Sequence, residues 1–331
     1  MTSVANYIRR RPKDKLNILT FPTHQRYETQ LAKTGHNFYA AHVKGMPPAV
    51  DYGIDNYHLM PFNEFYPYDD YDLILSQNRF GQFDLAWKIN TQLKIPIITL
   101  EHTVPTPDLS LDNLRAMGQM QGDVNVFICE NSMQQWASYG IRRNNNVIKH
   151  CVDLEVFKHN GQERGGYILT VANDFKARDY CLNFKLWAEV NEEETNDMVV
   201  LGKNSDKINE FYGSADSPEE LAHAYSCCSI YLNTTSHSPV PMSLLEAMAC
   251  ECPIITTNTC GIGEFIVHEE NGIIANTAEE INAAIKKIRD NPEFSSRLGK
   301  NARATVEREC SEERFINEWN ELFTKTYEAS L

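Results

Sequence analysis

A chain of 331 residues, 42% apolar and 23% charged, is long enough for two domains with a core each and has the composition of a globular protein. Its net charge of −14 is uneven: residues 1–150 carry 15 Lys and Arg against 14 Asp and Glu, whereas residues 151–331 carry 16 against 31. That excludes the second half as a surface for nucleic acid or anionic membranes, leaves the first half open to either, and the absence of an apolar run of roughly 20 residues excludes a membrane span.

The first 15 residues lack the apolar segment of a secretory signal, and nine cysteines without zinc-ligand spacing are expected as reduced thiols of a cytoplasmic protein. Arg9, Arg10, Arg11, Lys13 and Lys15 form a basic cluster, read as a solvated tail with an anionic partner as the alternative. The pattern over 15–21 predicts a first parallel strand, followed by the loop Pro22-Thr23-His24-Gln25-Arg26 and a helix over 27–33 closed by Gly35. A second strand is expected over 38–43, and 59–61 ends another short apolar piece. Asp69, Asp70 and Asp72 precede a strand over 73–76; they read as turn residues, and no metal site is expected. A helix over 83–93 and a strand over 95–100 follow. That strand delivers Glu101, His102 and Thr103 to the carboxyl edge of the sheet, where ligands bind in open α/β proteins. A further strand over 124–129 leads to Glu130-Asn131-Ser132, which can cap a helix reaching Tyr139.

The polar segment 163–166 reads as a linker, so the domain boundary is expected near residue 160. Strands are predicted over 167–172, 198–201, 230–233 and 254–257, with a helix over 218–225. Between the last two strands lie a polar loop, 234–239, and the run Ser238-Pro239-Val240-Pro241-Met242-Ser243-Leu244-Leu245-Glu246-Ala247-Met248-Ala249. Pro241 suits a first helical position, and Glu251-Cys252-Pro253 ends the helix. A strand, loop, helix, strand order sets a helix N-terminus at the carboxyl edge of a parallel sheet. There the amides of Met242, Ser243 and Leu244 and the positive end of the helix dipole can hold a diphosphate. Glu246, one turn inward on the face of Met242, can accept hydrogen bonds from vicinal sugar hydroxyls. Together these make a nucleotide-sugar site. Farther on, Asn271-Gly272 is a turn, 278–290 an amphipathic helix with Ile281, Ile285 and Ile288 on one stripe, and 311–328 a helix with Phe315, Trp319, Leu322 and Phe323 as core.

Residues 238–249 resemble, without gaps, the pattern Glu-Gly-Phe-Gly-x-Pro-x-x-Glu-Ala-Met-Ala of the family-four glycosyltransferases. The resemblance implies an α/β GT-B fold of two Rossmann-like domains with a cleft between them: 1–160 on the acceptor side, 161–310 binding the nucleotide sugar, and 311–331 a helix returning to the first domain. The family's ribose-binding glutamate falls on Glu246, and the glutamate against the donor sugar falls on Ser238. Of the two cations that grip the diphosphate, the arginine position is Asn173 and the lysine position is Arg178. Lys176 lies nearby, and Lys203 could supply the missing charge. His102 matches a histidine near the donor's phosphates or sugar, with Glu101 expected to orient it or the acceptor hydroxyl. The usual glycine pair of the first loop is missing; His24 and Arg26 take its place on the acceptor side. Tyr212 and Gly213 would face the base, and Glu264 follows a small-residue loop beside the donor.

The expected activity is therefore retaining, metal-independent transfer of a sugar from a nucleoside diphosphate to a hydroxyl, with the nucleotide sugar as co-substrate and no cofactor. His102, Glu101 and Arg178 form the expected catalytic set. The leaving phosphate takes the acceptor's proton while helix amides and Arg178 stabilise the charge developing on it. A glycan or lipid-linked acceptor in surface-polysaccharide synthesis is favoured, which would bring the protein to a membrane peripherally; a hydroxylated DNA base is the alternative. Outside transferases, a nucleotide-sugar epimerase and a non-catalytic binding module remain as rivals. The donor base, the sugar and the oligomeric state are not readable.

Overall fold

Short apolar runs between polar loops pair side by side here, since strands covered on both faces satisfy their backbones only through neighbouring strands. The computed structural model describes residues 13–23, 25–42, 53–61, 70–77, 81–193, 197–205, 208 and 211–331. The chain divides into two units: Met1–Ile128, Ser132–Lys149 and Glu312–Leu331 form the first, and Cys129–Asn131 and His150–Ser311 the second.

In chain order, β1 (Asn17–Thr20), α1 (Gln25–Ala32), β2 (Asn37–His42), β3 (Tyr57–Pro61), β4 (Leu73–Ser76), α2 (Gln82–Leu93), β5 (Ile97–Glu101), α3 (Leu111–Gln119), β6 (Val124–Phe127), α4 (Glu130–Ala137) and β7 (Asn145–Val147) come first. The sheet runs β3-β2-β1-β4-β5-β6-β7, with every pairing parallel. Strand order reverses at β1, where Leu19 pairs with Tyr39 on one side and Ile74 on the other. A crevice opens at the carboxyl ends of strands at such a reversal.

The second unit repeats the design with β8 (Ile168–Val171), α5 (Asp179–Leu182), α6 (Phe184–Glu193), β9 (Met198–Leu201), β10 (Phe211–Gly213), α7 (Pro218–Cys227), β11 (Ile230–Asn233), α8 (Met242–Ala249), β12 (Ile254–Thr256), a 3₁₀ turn at Cys260–Glu264, β13 (Ile273–Ile274), α9 (Ala278–Asp290) and α10 (Pro292–Glu309). Its parallel order is β10-β9-β8-β11-β12-β13, with the reversal at β8. The last helix, α11 (Glu312–Glu328), belongs to the first unit. It buries Phe315, Trp319 and Phe323, each contributing about 1.5–3 kcal/mol. The indole N–H of Trp319 donates to the Tyr27 hydroxyl at 3.2 Å.

Several local expectations shift. Pro241 is the N-cap of α8 and not its first residue, because its ψ of 129° is extended although its φ of −66° suits a helix. Helices α3 and α10 are not among the expected elements, although α10 buries Phe294, Leu298, Ala302 and Val306 at four-residue spacing. Residues 150–157 group with the second unit, ten residues before the expected boundary. There the Val152 N–H donates to the Cys310 carbonyl at 3.0 Å, and Arg303 donates to the carbonyls of Phe157 at 2.7 Å and Ala249 at 2.8 Å. Asp70 and Asp72 hold the Lys13 ammonium at 3.1 and 2.7 Å, and Asp72 also accepts the Asn17 amide at 2.9 Å. Asp69, His24 and Arg9 to Arg11 lie outside the described residues. Among the described residues, no helix is long and apolar enough to cross a membrane, and no group of three His, Cys, Asp or Glu side chains is arranged for a metal.

Candidate functional site

The carboxyl edge of the second sheet is built on hydroxyls and main chain. At the end of β11, Asn233 donates to the Thr256 hydroxyl at 2.9 Å and accepts from the Thr235 hydroxyl at 2.7 Å. The hydroxyls of Thr257 and Thr259 both donate to the Thr235 carbonyl, at 2.6 and 2.8 Å. Ordinary loops leave such groups to water; these are paired to one another, which holds the segment leading to α8 in one conformation. The Gly261 amide donates to the Pro239 carbonyl at 2.9 Å, and a Cβ at Gly261 would lie 2.7 Å from that oxygen, so only glycine lets the 3₁₀ turn close on the loop. In the same unit the Glu264 carboxylate accepts the amides of Glu130 at 3.1 Å and Asn131 at 2.8 Å.

At the start of α8 the Pro241 carbonyl takes the Leu244 amide at 3.1 Å and the Leu245 amide at 3.4 Å. The expected trio of free amides is thus a pair. Met242 and Ser243, both half-buried, keep N–H groups without an intrahelical partner, as the first turn of any helix does, while that of Leu244 is turned inward. The Ser243 hydroxyl accepts from the Tyr231 phenol at 2.8 Å; burial raises the pKa of that phenol and keeps it a neutral donor. Glu246 is 1% exposed, and the Tyr225 hydroxyl donates to its Oε2 at 3.2 Å. The carboxylate expected to meet ribose therefore lies beneath the surface of this edge, already holding one donor. Ser238 is half-buried in the loop before α8.

The cations stand in the loops that follow the neighbouring strands β8 and β9. Asn173, Lys176, Arg178 and Lys203 are all exposed. Arg178 is the N-cap of α5, its backbone fixed by donation to the Asp174 carbonyl at 2.8 Å. The Lys176 ammonium sits 5.7 Å from the centre of the Phe184 ring. The Asn173 side-chain carbonyl accepts the Lys203 amide at 2.8 Å, so it ties the loop after β8 to the loop after β9. Gly202, at a φ of 152°, allows that approach: a Cβ there would lie 1.9 Å from the Ala172 carbonyl oxygen.

The corresponding edge of the first sheet is different. Glu101 is buried and accepts the Thr103 amide at 2.9 Å and the Thr103 hydroxyl at 2.6 Å, which shapes the loop carrying His102. His102 is met by Gln77, whose Oε1 lies 3.4 Å from the imidazole Nε2, and by the Tyr27 ring, edge-to-face at 4.8 Å. Glu28, fully buried in α1, accepts the Gln77 amide at 2.7 Å, the Thr23 backbone N–H at 3.1 Å and the Tyr57 phenol at 2.9 Å. Burial pushes its carboxyl up to about 7, against the pull of those three donors. Arg26 is exposed on α1, the helix beginning two residues earlier than expected. Gln77 and Glu28 escaped the sequence reading. Two signals existed: Gln77 directly follows a strand at its carboxyl end, and Glu28 shares a helix face with the buried Leu31.

Residues 154–305 match the family described as glycosyl transferases group 1. A probable sucrose-phosphate synthase of Thermosipho melanesiensis is 31% identical over 113 residues, 33% of this chain and 26% of that protein. An N-acetyl-alpha-D-glucosaminyl L-malate synthase of Bacillus anthracis is 23% identical over 89% of this chain and 90% of its own. The crystal structure of Anabaena HepE in complex with UDP and glucose superposes with a TM-score of 0.76 at 12% identity, covering 93% of this chain and 99% of that one. The chain spans 26% to 38% of the length of the first curated relatives it matches. The fold is GT-B.

Proposed function

We propose that this protein is a retaining transferase that moves a sugar from a nucleoside diphosphate to an acceptor hydroxyl without a metal, a reading supported by the match of residues 154–305 to the group 1 glycosyl transferases and by the GT-B fold. The observation that carries this reading is the edge of the second sheet. It combines an open helix N-terminus at Met242 and Ser243, exposed cations at Lys176, Arg178 and Lys203, and a buried carboxylate at Glu246. Two amides and a helix dipole favour an anion, and a guanidinium adds forked, charge-assisted donation to phosphate oxygens. Glu246 would exchange part of its bond with Tyr225 for ribose hydroxyls when a donor is seated.

As the glycosidic bond breaks, negative charge grows on the leaving phosphate, and the Met242 and Ser243 amides with Arg178 stabilise it there. The phosphate then takes the acceptor's proton. His102 of the first unit is assigned to donate a hydrogen bond to the reacting groups, with Arg26, and His24 outside the described residues, on the acceptor side. Since HepE was crystallised with UDP and glucose, a UDP-hexose is the first donor to try. A glycan or lipid-linked glycan is the acceptor class we favour. A DNA acceptor is not favoured: of the basic cluster proposed to meet it, Lys13 is paired with Asp70 and Asp72, and Arg9 to Arg11 lie outside the described residues.

The test is mass spectrometry of UDP-, GDP- and ADP-sugars incubated with the protein and a panel of acceptors including oligosaccharides, glycolipids and L-malate. Release of a nucleoside diphosphate with a glycosylated acceptor is expected. Conversion of the donor to an isomer would replace the transferase by an epimerase. Tight donor binding with neither change would leave a binding module.

A further inference from the structure

Five polar side chains meet where strand order reverses in the first sheet, and they form a chain and not a cluster. Thr20 ends β1, Thr23 follows it, Glu28 lies in α1, Gln77 follows β4 and His102 follows β5. The Gln77 amide is the centre. Its Nε2 donates to Glu28 Oε1 at 2.7 Å and to the Thr20 hydroxyl at 3.1 Å. Its Oε1 accepts from the Thr23 hydroxyl at 3.1 Å and faces His102 Nε2 at 3.4 Å. A primary amide has an acceptor end and a donor end, so whatever fixes one end dictates what the other presents.

We propose that Glu28 is a positioning residue that sets the proton of His102 through Gln77. When Glu28 is ionised it only accepts, so Gln77 must turn its NH₂ toward Glu28 and its carbonyl toward His102. A carbonyl requires a donor, and the imidazole then carries its proton on Nε2. When Glu28 holds a proton on Oε1 it can donate to the Gln77 carbonyl. The amide reverses, its NH₂ faces the imidazole, and Nε2 becomes the acceptor with the proton on Nδ1. No bond other than O–H and N–H is exchanged. The carboxyl's elevation to about 7 places this change within the physiological range.

The groups that face Glu28 come from every element around it. The loop after β1 brings the Thr23 amide, β3 the Tyr57 phenol, β4 the Gln77 amide and, one amide farther, β5 the imidazole. On α1 itself, Arg26 is exposed, and just past its end Lys33 is paired with Glu312 of α11. The inference deepens the proposed activity and rests on His102 acting in it.

Glu28→Gln is the informative variant. Its carbonyl can occupy the Oε1 position and accept from Thr23 and Gln77, and its NH₂ can donate to the Tyr57 oxygen, so it keeps every contact while losing the titration. Nitrogen-15 spectra of the His102 ring are recorded on the whole protein from about pH 5.5 to 8.5. In the wild type the neutral ring should pass from the Nδ1–H to the Nε2–H tautomer as pH rises through about 7, with roughly a tenth of the molecules keeping Glu28 ionised one unit lower. Glu28→Gln should show Nε2–H throughout, and Gln77→Leu should remove the dependence on Glu28 altogether. Turnover should follow: the kcat profile loses its step near pH 7 in Glu28→Gln, while the donor KM does not acquire one. Identical tautomer curves in wild type and Glu28→Gln overturn the inference. A tautomer change with His102→Ala leaving kcat intact would instead overturn the role of His102 in transfer and keep the relay.

Discussion

The carboxyl edges of the two sheets occupy the same topological position and are chemically opposite. In the first unit, Glu28, Gln77, Thr20, Thr23 and His102 answer one another, mostly away from water. In the second, Lys176, Arg178 and Lys203 are exposed, while the side chains beneath them serve to hold main chain in place. A parallel sheet with reversed strand order thus provides a crevice twice, and side-chain chemistry decides what each does. In the reading proposed above, the first edge governs the position of a proton and the second receives an anion. The difference can be broken at either edge.

The largest effect is expected where the second edge depends on bare backbone. Gly202→Ala puts a Cβ 1.9 Å from the Ala172 carbonyl oxygen at a φ of 152°. It should cost about 3 kcal/mol or more in urea unfolding, because the oxygen is main chain and cannot swing aside. A loss under about 1 kcal/mol would mean that the loops after β8 and β9 are not held together as described.

Next comes the titration at the first edge. Glu28 has a folded value of about 7 against 4.5 for the free side chain, so the folded state holds the proton more tightly. Its burial therefore costs nothing below about pH 4.5, and the cost grows as pH rises, complete above about 7. Relative to wild type, Glu28→Gln should gain stability across that window, by up to about 3 kcal/mol. His36 works in the opposite sense. Burial and Lys15 lower its value from 6.5 to about 4, so its contribution is lost as pH falls between those values. The difference between wild type and Glu28→Gln, measured by urea unfolding at about pH 5 and 8, cancels His36 and isolates the carboxyl. A flat difference would place Glu28 in contact with water.

Smaller again is the loss of one cation. Arg178→Ala should weaken UDP binding in calorimetry by about 1.5–3 kcal/mol, roughly 10- to 150-fold in Kd. Lys176→Ala, whose ammonium already rests over the Phe184 ring, should cost only about 0.5 kcal/mol. Equal losses would mean that the edge acts as diffuse positive charge and not as a directed phosphate ligand.

Much of this was determined by the sequence alone, and the reason is locality. Strands β4, β9 and β11 and helix α9 lie on the residues that their apolar patterns indicated, and the run 238–249 carried the GT-B fold with it. Backbone propensity and periodicity act over a few residues, so they are visible in a few residues. The return of α11 to the first unit followed from the resemblance, while its contacts with Tyr27 did not. Only the tertiary structure decided that Glu246 is already held by Tyr225 and that Asn173 ties two loops together. It alone brought Glu28 to Gln77 across 49 positions and Gln77 to His102 across 25. Which buried polar groups meet depends on strand order and register across the whole sheet, and no local stretch of chain encodes that.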